Sequence, residues 1–238
     1  MEDILEKLKI IEVREGRERQ IKSYVLRNNK LEEKDEAMVL ENAEKYMLFF
    51  DREKKMDYRE IFGNDNPTVM EIGFGMGDSS LKIAMRRPDT NFICLEVFLQ
   101  GIVKLLRNTA EAEIDNLKIM RFNAVDVLNY MIPDDSLDGF HIFFPDPWMK
   151  KKHHKRRIIQ PDFVNLLSRK LKKGGYIYCV TDWEEYAAEM LEILSAEPLI
   201  KNKFDGYADP VKWRPTTKFE QKGMDKNYVI NELWFEKR

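Results

Sequence analysis

The sequence predicts an α/β fold built around a doubly wound, mostly parallel sheet. From Thr68 onward, short apolar runs alternate with segments of helical periodicity. Such alternation places helices on both faces of a parallel sheet, because the crossovers between its strands are right-handed. The last run, Tyr228–Phe235, alternates polar and apolar residues and has no helix after it. A chain of 238 residues is long enough for one such domain and an N-terminal extension.

Residue spacing predicts the individual elements. Strands are expected over Thr68–Ile72, Asn91–Leu95, Leu117–Phe122, Leu137–Phe144, Tyr176–Val180 and Tyr228–Phe235. Helices are expected over 35–50, from the glycine-rich turn at 73–77 to Arg86, and over Phe98–Asn108, Ile158–Leu171 and Glu184–Leu194. Lys173-Gly174-Gly175 is expected to end the helix before it. The turn residues Asn64–Pro67 mark the boundary between an N-terminal extension, residues 1–65, and a main domain, residues 66–238.

Composition indicates a soluble, cytoplasmic protein. The chain is 43% hydrophobic and 34% charged, as is ordinary for globular proteins. No apolar run approaches the ~20 residues that cross a bilayer, and the start has no signal-peptide pattern. Cys94 and Cys179 lie inside predicted strands, which suggests buried free thiols in a reducing compartment. Neither cysteine nor any histidine has metal-ligand spacing, so no metal site is expected.

The net charge of −2 does not exclude a nucleic-acid partner, because the charges are unevenly distributed along the chain. Residues 150–157 read Lys-Lys-Lys-His-His-Lys-Arg-Arg and carry six permanent positive charges. Acidic residues elsewhere, many in the first 65 positions, hide this cluster in the sum. Since local charge matters more than the total for nucleic-acid binding, the cluster keeps an RNA partner open.

A glycine-rich turn after the first predicted strand indicates a cofactor site. Glu71 ends that strand, and Gly73, Gly75 and Gly77 follow at alternate positions. Glycines let the backbone turn sharply and approach a ligand closely. The spacing is GxGxG, whereas the dinucleotide fingerprint is GxGxxG. This difference, with an acid two residues before the first glycine, favours a methyltransferase turn over a pyrophosphate cradle.

Two further strand ends add to this site, because ligands of doubly wound sheets bind beyond the carboxyl ends of the strands. Glu96 ends the second strand, where a carboxylate can accept both ribose hydroxyls of an adenosine cofactor. That position suits a nicotinamide dinucleotide and S-adenosylmethionine equally. Asn123 follows the third strand, where its amide and the nearby backbone could contact an adenine edge.

A catalytic and RNA-binding face is predicted around the fourth strand end. Asp146 lies between two prolines, which restrict the backbone around its carboxylate. The basic run follows at once, interleaved with histidines and preceded by Trp148, a mixture typical of RNA-binding surfaces. Phosphate contacts are expected from Lys150, Lys151, Lys152, Lys155, Arg156 and Arg157.

Two later loops carry further candidate substrate contacts. Asp182 follows the fifth strand and could instead cap the next helix. Thr217, Lys218, Phe219 and Glu220 combine a hydroxyl, a cation, a ring and an acid. Opposite a guanine, these groups offer acceptors for N1-H and N2-H and a surface for stacking.

Taken together, these residues resemble the bacterial tRNA (guanine-N7-)-methyltransferase family. The matching segments are EIGFGMG at 71–77, LE at 95–96, FFPDPWMKKKHHKRRIIQPDF at 143–163, TDWEEYA at 181–187 and TKFEQKG at 217–223, and residues 23–27 resemble the family's N-terminal arm. The resemblance covers nearly the whole chain. It implies a Rossmann-like class I methyltransferase fold, with a seven-stranded sheet whose C-terminal strand is antiparallel.

The resemblance also implies an activity and a set of roles. The reaction is methyl transfer from S-adenosyl-L-methionine to N7 of the variable-loop guanosine of tRNA, conventionally position 46. Implied cofactor contacts are Glu71, Glu96, Asn123 and Asp146, beside the glycines at 73, 75 and 77. Asp146 is the implied catalytic residue, and Lys150, Asp182 and Thr217–Glu220 are the implied substrate contacts. Asn123 departs from the family pattern, since some members have Asp there.

Three other interpretations remain open from the residues alone. A methyltransferase for a protein or small molecule would leave the basic run unexplained. A nicotinamide-dependent oxidoreductase is disfavoured by the GxGxG spacing. A catalytically idle RNA-binding module is disfavoured by the acids at 71, 96 and 146. No obligate protein partner is implied, and the chain is expected to be a monomer or a homodimer.

Overall fold

The computed structural model describes residues 2–13, 22–25, 31–217, 220–221 and 228–238. These residues form two compact units. The first unit contains residues 2–13 and 31–133, and the second contains residues 22–25 and the described part of 134–238. The domain boundary predicted near residue 65 lies inside the first unit and stays a prediction.

Helices and strands alternate along most of the chain, as the sequence predicts. The helices are α1 Glu2–Lys9, α2 Glu33–Tyr46, α3 Tyr58–Phe62, α4 Asp78–Arg86, α5 Leu99–Glu111, α6 Ala124–Tyr130, α7 Pro161–Lys170 and α8 Glu184–Ala196, with a 3₁₀ helix at Lys151–Arg156. The strands are β1 Met47–Leu48, β2 Thr68–Ile72, β3 Asn91–Glu96, β4 Leu117–Arg121, β5 Leu137–Phe143, β6 Leu171–Thr181, β7 Ile200–Asn202 and β8 Asn231–Lys237. The strand order is β1-β4-β3-β2 in the first unit and β5-β6-β8-β7 in the second.

In the first unit, four parallel strands align their carboxyl ends at one edge. Strand β3 lies between β2 and β4, and β1 pairs with β4. Every residue of β2 is buried, as is usual for a parallel strand that is covered on both faces. Helix α2 packs on α5, and an ion pair of 2.5 Å between Arg107 and Asp35 joins the two helices.

In the second unit, β5 and β6 are parallel, and β8 runs antiparallel to β6. The predicted antiparallel C-terminal strand is therefore confirmed. Strand β7 pairs antiparallel with the outer side of β8. Helix α7 begins with Pro161, which suits the first helical turn because the N–H that proline lacks has no partner there.

The structure differs from the predicted elements at several places. In the part of the chain that it describes there are eight strands rather than seven, because the two-residue β1 pairs with β4. The same pairing ends α2 at Tyr46, although the helical pattern continues to Phe50. Strand β6 begins at Leu171, so Lys173-Gly174-Gly175 lies within a strand and does not simply end a helix.

The buried core is apolar, and both cysteines lie in it as free thiols, as predicted. Burial raises the pKa of the Cys179 thiol to about 12 and also raises that of Cys94. Within the described ranges, no helix has the length and apolar character needed to span a bilayer.

Candidate active site

The structure brings the predicted cofactor residues of the first unit to one edge of its sheet. In the parallel register Glu71 lies opposite Cys94, and Glu96 lies opposite Arg121. The ladder extends one residue into the glycine turn, since the Gly73 N–H donates to the Leu95 carbonyl at 2.8 Å. Asn123 follows β4 at the same edge.

Glu96 organises this edge through its carboxylate. One oxygen accepts a hydrogen bond from the Gly75 N–H at 2.8 Å. The other accepts from the N–H groups of Val97 at 2.7 Å and Phe98 at 3.1 Å. A carboxylate has about four lone-pair sites, and these bonds occupy three of them. Glu96 therefore joins the glycine turn to the start of α5.

The glycine turn leaves open space on one side and packs against α5 on the other. A Cβ built at Gly73 or Gly75 would meet no atom within 4 Å. By contrast, a Cβ at Gly101 of α5 would lie 1.9 Å from the Gly75 carbonyl oxygen, and a Cβ at Gly77 would lie 2.8 Å from Leu105. The open side suits close approach of a ligand to the backbone. Sequence reasoning missed Gly101, although a glycine inside a helical pattern often marks such a contact.

Glu71 is buried in the sheet, with only 3% of its surface exposed. Burial, with a smaller contribution from the charge of Glu96, raises the pKa of this carboxyl to about 7. A carboxyl in this state can carry a proton near neutrality or bind a cationic group. The α-ammonium of S-adenosylmethionine is such a group, so the residue fits the cofactor that the sequence implies.

Asn123 caps α6, because its side-chain oxygen accepts from the Val125 N–H at 2.9 Å. Its own N–H donates to the Ile11 carbonyl at 2.7 Å. Arg121 donates to the Leu8 carbonyl and, at 3.0 Å, to the Val97 carbonyl. The segment after α1 therefore crosses the end of β4 beside Asn123. Sequence reasoning did not find this contact, which joins residues more than 100 positions apart.

In the second unit, Asp146 lies exposed on a loop that follows β5. Two bulky residues of this loop, Phe144 and Trp148, have positive φ angles of 48° and 44°. L-residues with large side chains rarely adopt such angles, which cost about 1–3 kcal/mol each. The Phe144 N–H donates to the Val180 carbonyl at 2.7 Å, so the loop is tied to the end of β6.

Arg157 holds the other end of this loop from inside the protein. Its guanidinium donates to the Pro147 carbonyl at 2.8 Å and to the carboxylates of Glu185 and Glu189 on α8. The side chain is fully buried and lies against the ring of Tyr186. A fully buried guanidinium bound to carboxylates presents no donor to a phosphate in this structure, so the geometry does not support the predicted phosphate contact of Arg157, which stays a prediction.

His154, Glu185 and Glu189 place ligand atoms within 4.8 Å of one another, as a metal site would. The guanidinium of Arg157 binds both carboxylates, however, and lies 3.2 Å from the His154 ring nitrogen. A bound cation would have to compete with this buried arginine. The three side chains therefore act as partners of the Arg157 guanidinium rather than as metal ligands.

The rest of the basic run faces outward on the 3₁₀ helix. Lys150, Lys151, Lys152 and Lys155 are exposed. Arg156 lies over the ring of Trp148, at 3.7 Å from its centroid. It also donates to the carbonyls of Lys22 and Tyr24 at 2.9 Å each.

The remaining predicted substrate residues lie in two loops of the second unit. Asp182 is half-buried at the end of β6, and the Trp183 N–H donates to Thr181 beside it at 3.2 Å. Glu220 is buried, and its carboxylate binds Arg214 and the Thr217 N–H. Lys218 and Phe219 lie outside the described residues. Sequence reasoning missed Arg214.

Comparison with known proteins identifies similar chains. The model of a putative methyltransferase family matches residues 65–233. The tRNA (guanine-N(7)-)-methyltransferase of Paraburkholderia xenovorans is 45% identical over 92% of this chain and 84% of its own. The enzyme of the same name from Francisella philomiragia is 43% identical over 92% of this chain and 96% of its own.

Solved structures with a similar fold are more distant in sequence. The 16S rRNA methyltransferase KamB aligns with a TM-score of 0.57 and 13% identity, over 77% of this chain and 95% of its own. A 30S ribosomal A1408 methyltransferase from an uncultured bacterium aligns with a TM-score of 0.52 and 16% identity, with the same coverage. At these identities the comparison supports the predicted class I methyltransferase fold alone.

Glu71 should make stability depend on pH. Its pKa in the folded state lies above the unfolded value, so folding favours the protonated form and stability is lost as pH rises from about 4.5 through 7. We expect the loss to approach 3 kcal/mol, at about 1.4 kcal/mol per pKa unit. Urea unfolding of wild type and Glu71→Gln across this range measures it. A parallel pH dependence of the two proteins would contradict the assignment.

Arg157→Met should destabilise the protein without changing the salt dependence of RNA binding. The substitution leaves Glu189 and the Pro147 carbonyl without their donor. A broken buried pair costs about 3–5 kcal/mol, and we expect the lower part of this range because Glu185 is 58% exposed. Arg169→Met, which removes a half-exposed arginine of α7, is the matched control, with an expected cost below about 1 kcal/mol. Wild-type stability of Arg157→Met in urea unfolding would rule out this structural role.

Proposed function

Because the chain belongs to the tRNA (guanine-N(7)-)-methyltransferase family, we propose that it methylates N7 of the variable-loop guanosine at position 46 of tRNA. The methyl donor is S-adenosyl-L-methionine, and the setting is the cytoplasm. The observation that carries this proposal is Asp146, an exposed carboxylate on a strained loop directly after β5. The family match includes this loop.

The first unit supplies the cofactor contacts in this proposal. Glu96 would accept hydrogen bonds from the ribose hydroxyls, and Asn123 would lie at the adenine. The open side of the turn at Gly73 and Gly75 would accommodate the amino-acid part, with Glu71 facing its ammonium group. Bound S-adenosylmethionine supplies a methyl group already activated on a positively charged sulfur.

Asp146 acts electrostatically in this proposal. Guanine N7 carries an exposed lone pair, so no base has to remove a proton before methyl transfer. The methylated purine acquires a positive charge, and a carboxylate held in place lowers the energy of that developing charge. The loop around Asp146 is fixed at Phe144 and Pro147, so the carboxylate needs little reorganisation during the reaction.

The exposed lysines of the second unit would bind the tRNA backbone. Lys150, Lys151, Lys152 and Lys155 present flexible ammonium groups to solvent beside the Asp146 loop. Trp148 and Arg156 form a stacked pair in the same segment. Such a surface neutralises phosphates without reading bases, while Asp182 and the Thr217 loop would contact the target guanine.

One assay tests the proposal as a whole. The purified protein is incubated with labelled S-adenosylmethionine and unmodified tRNA transcripts, and the nucleosides are identified and mapped by mass spectrometry. N7-methylguanosine at position 46 is the expected product. Methylation at another site would discard the substrate assignment. Binding of tRNA and cofactor without methyl transfer would favour an idle RNA-binding module.

Asp146→Asn and Asp146→Ala should lower turnover by at least about 10²-fold, the usual cost of removing one electrostatic contact to a transition state. Affinity for tRNA should stay within a few-fold, because the phosphate contacts remain. Asp205→Asn, another exposed aspartate of the second unit, is the matched control. Single-turnover kinetics with separately measured tRNA affinity distinguish the two effects. Near-normal turnover of both Asp146 variants would refute the catalytic role.

Replacing Lys151, Lys152 and Lys155 together by Ala should weaken tRNA binding and reduce its salt dependence. Each lost phosphate contact should reduce the slope of log affinity against log salt by about one. The control replaces Lys172, Lys173 and Lys201, which are exposed elsewhere in the second unit. An unchanged slope in the first variant would show that its lysines do not contact phosphates.

A further inference from the structure

Arg214 is the centre of a buried polar network in the second unit. Its guanidinium donates two parallel hydrogen bonds to the carboxylate of Glu220, at 2.8 and 2.9 Å. It also donates to Glu232 at 2.6 Å and to the Tyr178 hydroxyl at 3.0 Å. The side chains of Arg214, Glu220 and Glu232 are 6%, 5% and 2% exposed. Such a bidentate arginine–carboxylate pair fixes direction as well as distance.

The network attaches the loop before β8 to the strand ends near Asp146. Tyr178 lies on β6 and Glu232 on β8, and the Tyr178 hydroxyl donates to Glu232. The guanidinium also lies 6.0 Å from the ring of Phe143, the last residue of β5. Asp146 follows Phe143 by three residues. Arg214 is therefore anchored beside the strand that leads to the proposed catalytic loop.

The preceding residue, Trp213, strengthens this anchor. Its ring stacks on His141 of β5, with centroids 5.0 Å apart, and meets Tyr178 edge-on at 5.6 Å. His141 is fully buried. Two consecutive residues of the loop are thus held on the same face of the sheet, one by stacking and one by hydrogen bonds.

Glu220 connects Arg214 to Thr217 through a capping box, in which Glu220 and Thr217 exchange two hydrogen bonds. The Thr217 N–H donates to the Glu220 carboxylate at 3.2 Å, and the Glu220 N–H donates to the Thr217 hydroxyl at 3.0 Å. This reciprocal pair is typical of the T-x-x-E pattern. Both oxygens of Glu220 are engaged by Arg214, so Thr217 cannot leave Glu220 without disturbing the buried pair.

We propose that Arg214 is a positioning residue of the methyl-transfer reaction, which acts through Glu220 to hold Thr217 in place for the target guanine. The inference rests on the proposed function, because it assigns Thr217 to guanine recognition. Arg214 itself touches neither guanine nor cofactor in this assignment. It acts through Glu220, whereas Glu232 and Tyr178 complete the buried shell around its guanidinium.

If Arg214 has this role, its loss should lower the rate of methyl transfer but leave the affinity for tRNA nearly unchanged. Overall tRNA affinity comes mainly from phosphate contacts, which Arg214 does not make. Misalignment of one base instead lowers the rate of the chemical step. Arg214→Met should therefore lower kcat by about 10- to 100-fold, while the dissociation constants of tRNA and S-adenosylmethionine change by less than about threefold.

The experiment is a double-mutant cycle in the full-length protein. Single-turnover rates are measured for Arg214→Met, for Glu220→Gln and for the double variant. If Arg214 acts through Glu220, the double variant should be no more than about threefold slower than the slower single variant. Arg169→Met, a half-exposed arginine of α7, is the matched control and should retain the wild-type rate.

The outcomes separate this inference from the function on which it rests. Wild-type protein that forms no N7-methylguanosine rejects the function. Active wild type with a normal Arg214→Met rate, or with single-variant effects that multiply in the double variant, rejects the positioning role. If Arg214→Met does not fold, Arg214→Lys replaces it in the double-mutant cycle, because lysine keeps the charge but loses the bidentate geometry.

Discussion

A buried guanidinium that binds carboxylates and a loop at the same time is the interaction on which the second unit depends. Arg157 binds Glu185 and Glu189 and also the Pro147 carbonyl of the Asp146 loop. Arg214 binds Glu232 and also Glu220 of the Thr217 turn. For Arg214, burial opposes the charge, but the hydrogen bond to Glu220 helps to raise its pKa above the ordinary value. Permanently charged, planar donors of this kind hold loops in one geometry without excluding them from solvent.

The first unit reaches a comparable rigidity with backbone donors. Three N–H groups converge on Glu96, and Gly101 lets α5 press directly against the glycine turn. Glu71 is the exception, a buried carboxyl whose pKa is raised to about 7. Burial disfavours the charged form of this carboxyl in the free protein, so a bound cation would stabilise it. Carboxyls with pKa values perturbed in this way cluster at functional sites.

Much of the fold and part of the site follow from the sequence, and the failures have physical causes. Strand-end acids such as Glu71 are predictable, because strand periodicity and a following glycine turn are local signals. Arg157 binds Glu185, which lies 28 residues away. Arg214 binds Glu220 only 6 residues away, but also Tyr178, which lies 36 residues away. No local pattern therefore shows that these two cations turn inward. The T-x-x-E pattern at 217–220 did contain a readable signal for the capping role of Glu220. Helix α2 ends before its pattern does, because Met47 gains a β partner in β4.

If Arg157 and Arg214 fix their loops in this way, the loops are ordered before the substrate arrives. Amide hydrogen exchange of the free protein tests it at Phe144, Thr217 and Glu220, whose N–H groups donate to Val180, Glu220 and Thr217. We expect slow exchange at these amides in the absence of tRNA, little further slowing when tRNA is added, and faster exchange at 217 and 220 in Arg214→Met. Fast exchange in the free protein that slows only on tRNA binding would show that the substrate orders the loops, and would contradict the claim.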